Sequence, residues 1–173
     1  EPVFCDIDHQ SLNIDPSKIA EKITTKTSAI LPVHVFGNTC EMEKIEVIAA
    51  ENNLKLIYDA AHAFGVKSNS DNLYNYGDAS ILSFHSTKIF HTIEGGAIIF
   101  KNKEHYDKAK LLINFGISGY DKVDTIGINC KMNEFQAAMG LAVLSEMDYI
   151  LEVRKKTWEN YRNYFINVPK IQL

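Results

Sequence analysis

An α/β domain built on a mostly parallel sheet, with helices covering both faces, is the architecture these 173 residues predict. Three observations carry that prediction. Strand-like and helix-like segments alternate along the chain, the order that yields layered α/β sheets. The strand candidates are short and mostly apolar, as strands covered on both faces are. Hydrophobic residues make up 46% of the chain and charged residues 23%, ordinary for one globular core and too apolar for disorder.

Residues 2–7 (PVFCDI) read as a first short strand. Asp15-Pro16-Ser17 opens a short helix, with Asp15 as N-cap and Pro16 at the first helical position, where a missing N–H leaves nothing unpaired. Residues 28–35 (SAILPVHV) are a second strand candidate. Residues 41–53 follow with apolar side chains at 42, 45, 48 and 49, the spacing of one helix face. Residues 54–58 (LKLIY) form the next strand and run into Asp59. After a polar stretch around 68–76, residues 79–84 (ASILSF) and 97–100 (AIIF) are two more strands. Residues 103–115 are amphipathic and stop at Gly116, and 117–131, rich in Gly and Asp, form a loop.

Asn133 and Gln136 then stand at the spacing of a capping box. From Phe135 an apolar stripe passes through Ala138, Met139, Ala142, Val143, Met147, Ile150 and Leu151 and continues to Trp158, Tyr161 and Phe165. It predicts one helix of about thirty residues, where globular proteins average about 11–12. The chain opens on a strand and closes soon after that helix, as the middle of a longer protein would.

Charge and cysteine content narrow the function classes. Eighteen Lys and Arg against 22 Asp and Glu leave a formal charge of −4, which argues against nucleic acid or an anionic membrane as main partner. No apolar run approaches the roughly 18 residues of a membrane span. Cys5, Cys40 and Cys130 are odd in number and far apart, and support neither a disulfide framework nor a zinc site. His34 and His91 have no HExxH-like spacing, so no metal site is expected.

In parallel α/β sheets, ligands bind beyond the carboxyl ends of the strands. Two segments leave strands there. One is Asp59-Ala-Ala-His62-Ala-Phe-Gly65, and the other is Ser83-Phe-His85-Ser-Thr-Lys88, followed by Glu94-Gly95-Gly96. From the residues alone, Asp59 either caps the next turn or meets a cation, and Lys88 is either a solvated amine or one that approaches a ligand.

The set DAAHAFG, then GDAS and SFHSTK with EGGA, then GIN, KMNEFQAA, resembles the DegT/DnrJ/EryC1/StrS family. These are sugar aminotransferases that use pyridoxal 5′-phosphate (PLP) on the fold of aspartate aminotransferase. The likeness also takes in EPVFCDID and KTSAILPVHVFGNTCEM, and so runs through nearly the whole chain. It implies that 1–132 belong to a PLP-binding large domain and that 133–173 form a long helix leading to a small domain largely absent here. It also implies that a Gly-Thr phosphate cradle and an aromatic stacked on the cofactor ring lie outside these residues.

The resemblance implies roles as well. Asp59 matches the acid that keeps the cofactor's ring nitrogen protonated, and His62 the Gln/His position that contacts the ring or its phenolic oxygen. Lys88 matches the lysine that forms a Schiff base with the cofactor and then acts as general base and acid. Ser83 matches the phosphate-binding hydroxyl. Asn129 matches an Asn that reaches the phosphate of the neighbouring subunit's cofactor, which implies a homodimer. His85, three residues before Lys88, is a candidate on the substrate side.

The reaction so implied passes an amino group, from glutamate, to a keto group of a nucleotide-linked deoxysugar in the cytoplasm. The TIEGG form at 92–96 is similar to that of enzymes aminating position 3 of the sugar. Two features depart from the usual pattern or speak against neighbouring activities. Ile89-Phe90-His91 follows Lys88 where many members have Asn. The related sugar dehydratases carry His in place of the lysine, so Lys88 sets this chain apart from them. A non-catalytic PLP-fold protein is the remaining alternative, and the complete Asp59/Ser83/Lys88 set weighs against it.

Overall fold

The computed structural model describes residues 1–68 and 71–169. Its elements run α1 (Pro16–Ile19), β1 (Ala29–Ile30), α2 (Met42–Glu51), β2 (Lys55–Asp59), β3 (Lys67–Ser68), β4 (Asp71–Asn72), β5 (Ala79–Ser83), β6 (Gly96–Phe100), α3 (Lys103–Leu112), β7 (Ile117–Gly119), β8 (Lys122–Val123), α4 (Glu134–Ser145) and α5 (Met147–Phe165). One four-stranded sheet, in the order β1-β2-β5-β6, organises them, and β3-β4 and β7-β8 are separate two-stranded ribbons.

The sheet is mostly parallel. β1 pairs with β2 and β2 with β5 in parallel, while β6 returns antiparallel to β5. That return has a simple cause. The segment between β5 and β6 holds turns and no helix, whereas a parallel crossover normally carries one.

Alternation along each strand sorts side chains onto two faces. Leu56, Tyr58, Ser80 and Leu82 are buried on one of them. There they meet Met42, Ile45 and Ala49, one stripe of α2, together with Ile19, Ile30 and Leu73. Met42, Ile45, Tyr58 and Leu73 are fully buried, and each such apolar side chain contributes roughly 1.5–3 kcal/mol. The other face carries Asp59, Ile81, Ser83 and Ile98. At its edge α3 meets Phe100 through His105, ring centroids 6.4 Å apart, while Ile81 and Ile98 stay 38% and 52% exposed.

Local rules explain the helix starts. Asp15 caps α1 by accepting from Ser17 N–H at 2.9 Å, with Pro16 at the first position. Asn133 and Gln136 form the full capping box of α4, accepting each other's backbone N–H at 2.9 and 3.2 Å.

Four expectations need correction. The single long C-terminal helix is two helices, broken at Glu146, whose φ of −102° and ψ of 3° leave the helical region. Residues 2–7 form no strand, and only an isolated bridge joins Ile7 to Ile14. The strand expected over 28–35 keeps only Ala29 and Ile30 in the ladder. Pro32 has no N–H to donate, and pairing resumes as a single bridge from Val33 to Asp59. Within the expected loop 117–131, β7 and β8 form a small ribbon.

α4 docks on the segment that follows β5. A Cβ at Gly140 would stand 2.9 Å from Thr92 Cγ2 and 3.5 Å from the Phe90 ring, so glycine permits this approach.

Candidate active site

β2 and β5 run side by side and end at the same edge of the sheet. Asp59 is opposite Ile81, and Ser83 lies two residues further on the same face. With strands about 4.8 Å apart and about 3.3 Å rise per residue, the two Cα atoms are about 8 Å apart. Ser83 is in turn opposite Gly96, the start of β6. A carboxylate and a hydroxyl thus share one edge.

Asp59 is fixed from three sides. Its N–H donates to Pro32 O at 2.8 Å, its carbonyl accepts from His34 N–H at 3.0 Å, and its Oδ1 accepts from Ala61 N–H at 2.9 Å. The carboxylate does cap the following turn, with one oxygen. It is half-buried and has no ion-pair partner among the described residues. Ser83 is also half-buried, and its Oγ accepts only a long contact from His85 N–H, at 3.4 Å.

Lys88 sits on the turn that leaves β5. Its N–H donates to His85 O at 2.9 Å, which closes the turn. The side chain is half-buried, and its Nζ makes no hydrogen bond or ion pair among the described residues. An aromatic cluster forms between the two loops at this edge. Phe64 stacks on Phe90 at 4.3 Å, Phe84 meets Phe90 edge-on at 4.8 Å, and Phe64 meets Phe84 edge-on at 6.0 Å. Phe64 belongs to the loop after Asp59, and the other two to the loop around Lys88. The cluster therefore ties the acid's loop to the amine's loop.

His62 is exposed rather than part of the core. Its Nδ1 accepts from Phe36 N–H at 3.3 Å, and its ring lies parallel to Phe36 at 6.1 Å. Phe36 has φ 55°, a left-handed conformation that a bulky residue adopts only under constraint, and is 76% exposed. The core histidine is His34. It is fully buried, accepts from Cys40 N–H at Nδ1 (3.1 Å) and stacks on Tyr58 at 5.0 Å. Burial pushes its imidazole down to about 4, against the opposing pull of Asp59. Burial also pushes the Cys40 thiol up to about 12 and raises the Tyr58 phenol.

The structure brings Asp59, His62, Ser83, His85 and Lys88 to the loops at one sheet edge. Asn129 shares no hydrogen bond with them among the described residues. It is exposed, pairs with Asn114 in an isolated bridge and accepts from Lys131 Nζ at 2.9 Å. No group of three or more His, Cys, Asp or Glu suited to a metal occurs among the described residues. None of their helices is long and apolar enough to cross a membrane. Sequence reasoning missed the aromatic cluster and Glu94. Glu94 was visible in the EGG motif, and only the fold places its carboxylate beside His85.

Comparison with known proteins shows the family and the fold. The model of the DegT/DnrJ/EryC1/StrS aminotransferase family matches residues 1–173. A Shigella dysenteriae protein named dTDP-4-amino-4,6-dideoxy-D-glucose transaminase is 47% identical over 100% of this chain and 47% of its own length. An Escherichia coli protein of the same name is 42% identical over 99% of this chain and 47% of its own. The crystal structure of DesI, solved in the presence of its TDP-sugar product, superposes with TM-score 0.91 at 34% identity. It covers 99% of this chain and 44% of that one. The chain spans about half the length of the curated relatives it matches. It belongs to the DegT/DnrJ/EryC1/StrS aminotransferase family.

Proposed function

We propose that this protein is a PLP-dependent aminotransferase that passes an amino group from glutamate to the keto group of a nucleotide-linked deoxysugar. The observation that carries the reading is the meeting of three chemistries at one sheet edge. Among the described residues, an acid without a cationic partner, an amine without an acidic partner and a nearly free hydroxyl come from two adjacent strands and the turn after them.

Those groups fit PLP. When bound, the cofactor supplies an electron sink for the donor carbon. The second carboxylate oxygen of Asp59 would keep the proton on the cofactor's ring nitrogen, because a carboxylate neighbour favours the cationic form. Lys88 Nζ would hold the cofactor at its aldehyde, and as a free amine it would carry the proton taken from the donor. Ser83 Oγ would donate to the phosphate, and His62 would contact the ring. Asn129 would contact the phosphate held by a second copy, in a homodimer. The reaction belongs in the cytoplasm.

Names of relatives sharpen the sugar. The two at 47% and 42% identity are both named for a 4-amino sugar. That favours amination at position 4 over the position-3 reading of the TIEGG motif. The test is glutamate-dependent amination of a dTDP-linked 4-keto-6-deoxyhexose, followed as 2-oxoglutarate released. Turnover that vanishes in Lys88→Ala is expected. Equal turnover in the variant contradicts the assignment of Lys88.

A further inference from the structure

We propose that His85 and Glu94 form a positioning pair that holds the turn carrying the Lys88 amine, an inference that rests on the role of Lys88 given above. His85 opens that turn, since its carbonyl accepts from Lys88 N–H at 2.9 Å. Thr87 N–H points to His85 Nδ1 at 3.3 Å, and Thr87 Oγ1 lies 2.9 Å from the same nitrogen. A backbone N–H can only donate, so Nδ1 is the bare nitrogen and the neutral ring carries its proton on Nε2. Nε2 faces Glu94 Oε1 at 3.5 Å. Both ring nitrogens therefore face groups of the loop itself, Nδ1 as an acceptor and Nε2 within ion-pair distance of Glu94, which assigns His85 to the loop's own geometry rather than to the substrate.

Glu94 is aimed by its surroundings. Its N–H donates to Thr92 O at 2.9 Å, and its carbonyl accepts from Thr92 Oγ1 at 2.9 Å. Thr92 is itself buried, with its N–H on Phe84 O at 3.0 Å. A Cβ at Gly95 would collide with Thr92 Oγ1, so glycine there allows the clamp to close. Between the clamped residues Ile93 takes φ 67°, a region that a β-branched residue enters only when its neighbours impose it. The result is a carboxylate turned back across the loop onto His85.

The two side chains are 46% and 68% exposed. A pair so open contributes little to stability. Its effect falls on where the turn places Nζ, and displacement of a reacting group by about 1 Å can lower a rate by about a hundredfold.

The test compares Glu94→Ala, His85→Asn and the double variant in the complete, cofactor-loaded protein. His85→Asn keeps an acceptor for Thr87 N–H and removes the reach to Glu94. Each single variant is expected to lower kcat about tenfold, with KM for the sugar nucleotide and the melting midpoint unchanged. The double variant should fall no further than either single one, the signature of residues acting together. Glu94→Gln, whose amide oxygen still accepts, should recover most of the loss. Additive losses, or a raised KM at unchanged kcat, overturn the proposal.

A second readout needs neither turnover nor cofactor. Hydrogen exchange at the Lys88 and Thr87 amides should quicken about tenfold in Glu94→Ala, with β2 and β5 unaffected. Unchanged exchange overturns the pair. Wild-type protein in which Lys88 does not capture PLP overturns the aminotransferase reading instead, and exchange still decides on the pair.

Discussion

Tyr58 and Asp59 are neighbours in β2, yet Tyr58 is fully buried and Asp59 is half-exposed on the opposite face. The same division runs through β5, where Ser80 and Leu82 are buried while Ser83 and the 38% exposed Ile81 point the other way. One face is filled by α2. The other holds the groups assigned to chemistry. Period-two alternation thus lets one strand supply both core and site, and substitutions on the two faces should have separable consequences.

The largest separation is expected for Lys88→Ala against Ile45→Ala. Removing the amine should lower turnover by about a thousandfold or more with the melting midpoint unmoved, since a positioned general base contributes about 10²–10⁴-fold. Ile45→Ala, behind the buried face, should cost about 2–5 kcal/mol in denaturant unfolding. Ile81→Ala, on the open face, should stay within about 1 kcal/mol. Equal costs for Ile45 and Ile81 would break the comparison.

His34 offers a pH test of the buried face. Its imidazole is held down to about 4 from an ordinary 6.5. Between those values the unfolded chain binds the extra proton, so the contribution is full above pH 6.5 and lost as the pH falls towards 4. It amounts to about 3 kcal/mol. Unfolding measured across that window should become shallower in pH for His34→Phe, whatever that variant's absolute stability.

The smallest effect should be a gain. The Tyr58 hydroxyl is buried with no hydrogen-bond partner among the described residues. Tyr58→Phe removes an unsatisfied group while keeping the ring and its stack on His34, and should raise stability by about 1 kcal/mol. A loss of similar size would mean that the hydroxyl is satisfied in solution.

Much of this was legible in the chain. The strands around Asp59 and Ser83 were found within a residue or two, because apolar runs bounded by polar turns are local signals. The Asp15 cap, Pro16 and the Asn133/Gln136 box were read for the same reason. What failed depended on distant neighbours. Residues 2–7 have the apolar content of a strand but no strand beside them, and Val3 and Phe4 stay 69% and 88% exposed. No Pro or Gly marks the break at Glu146, so the stripe reads straight through it. At the site, Asp59, Ser83 and Lys88 were visible as motifs. The Phe64–Phe84–Phe90 cluster and the Glu94–His85 approach were not, since each joins segments that only the fold brings together.

The most direct test of the central claim is to add PLP, reduce with borohydride and locate the pyridoxyl group by peptide mass. A single adduct on Lys88, lost in Lys88→Ala, is the expected result. Adducts spread over surface lysines such as Lys103 and Lys156, with Lys88 no richer than they are, would contradict it.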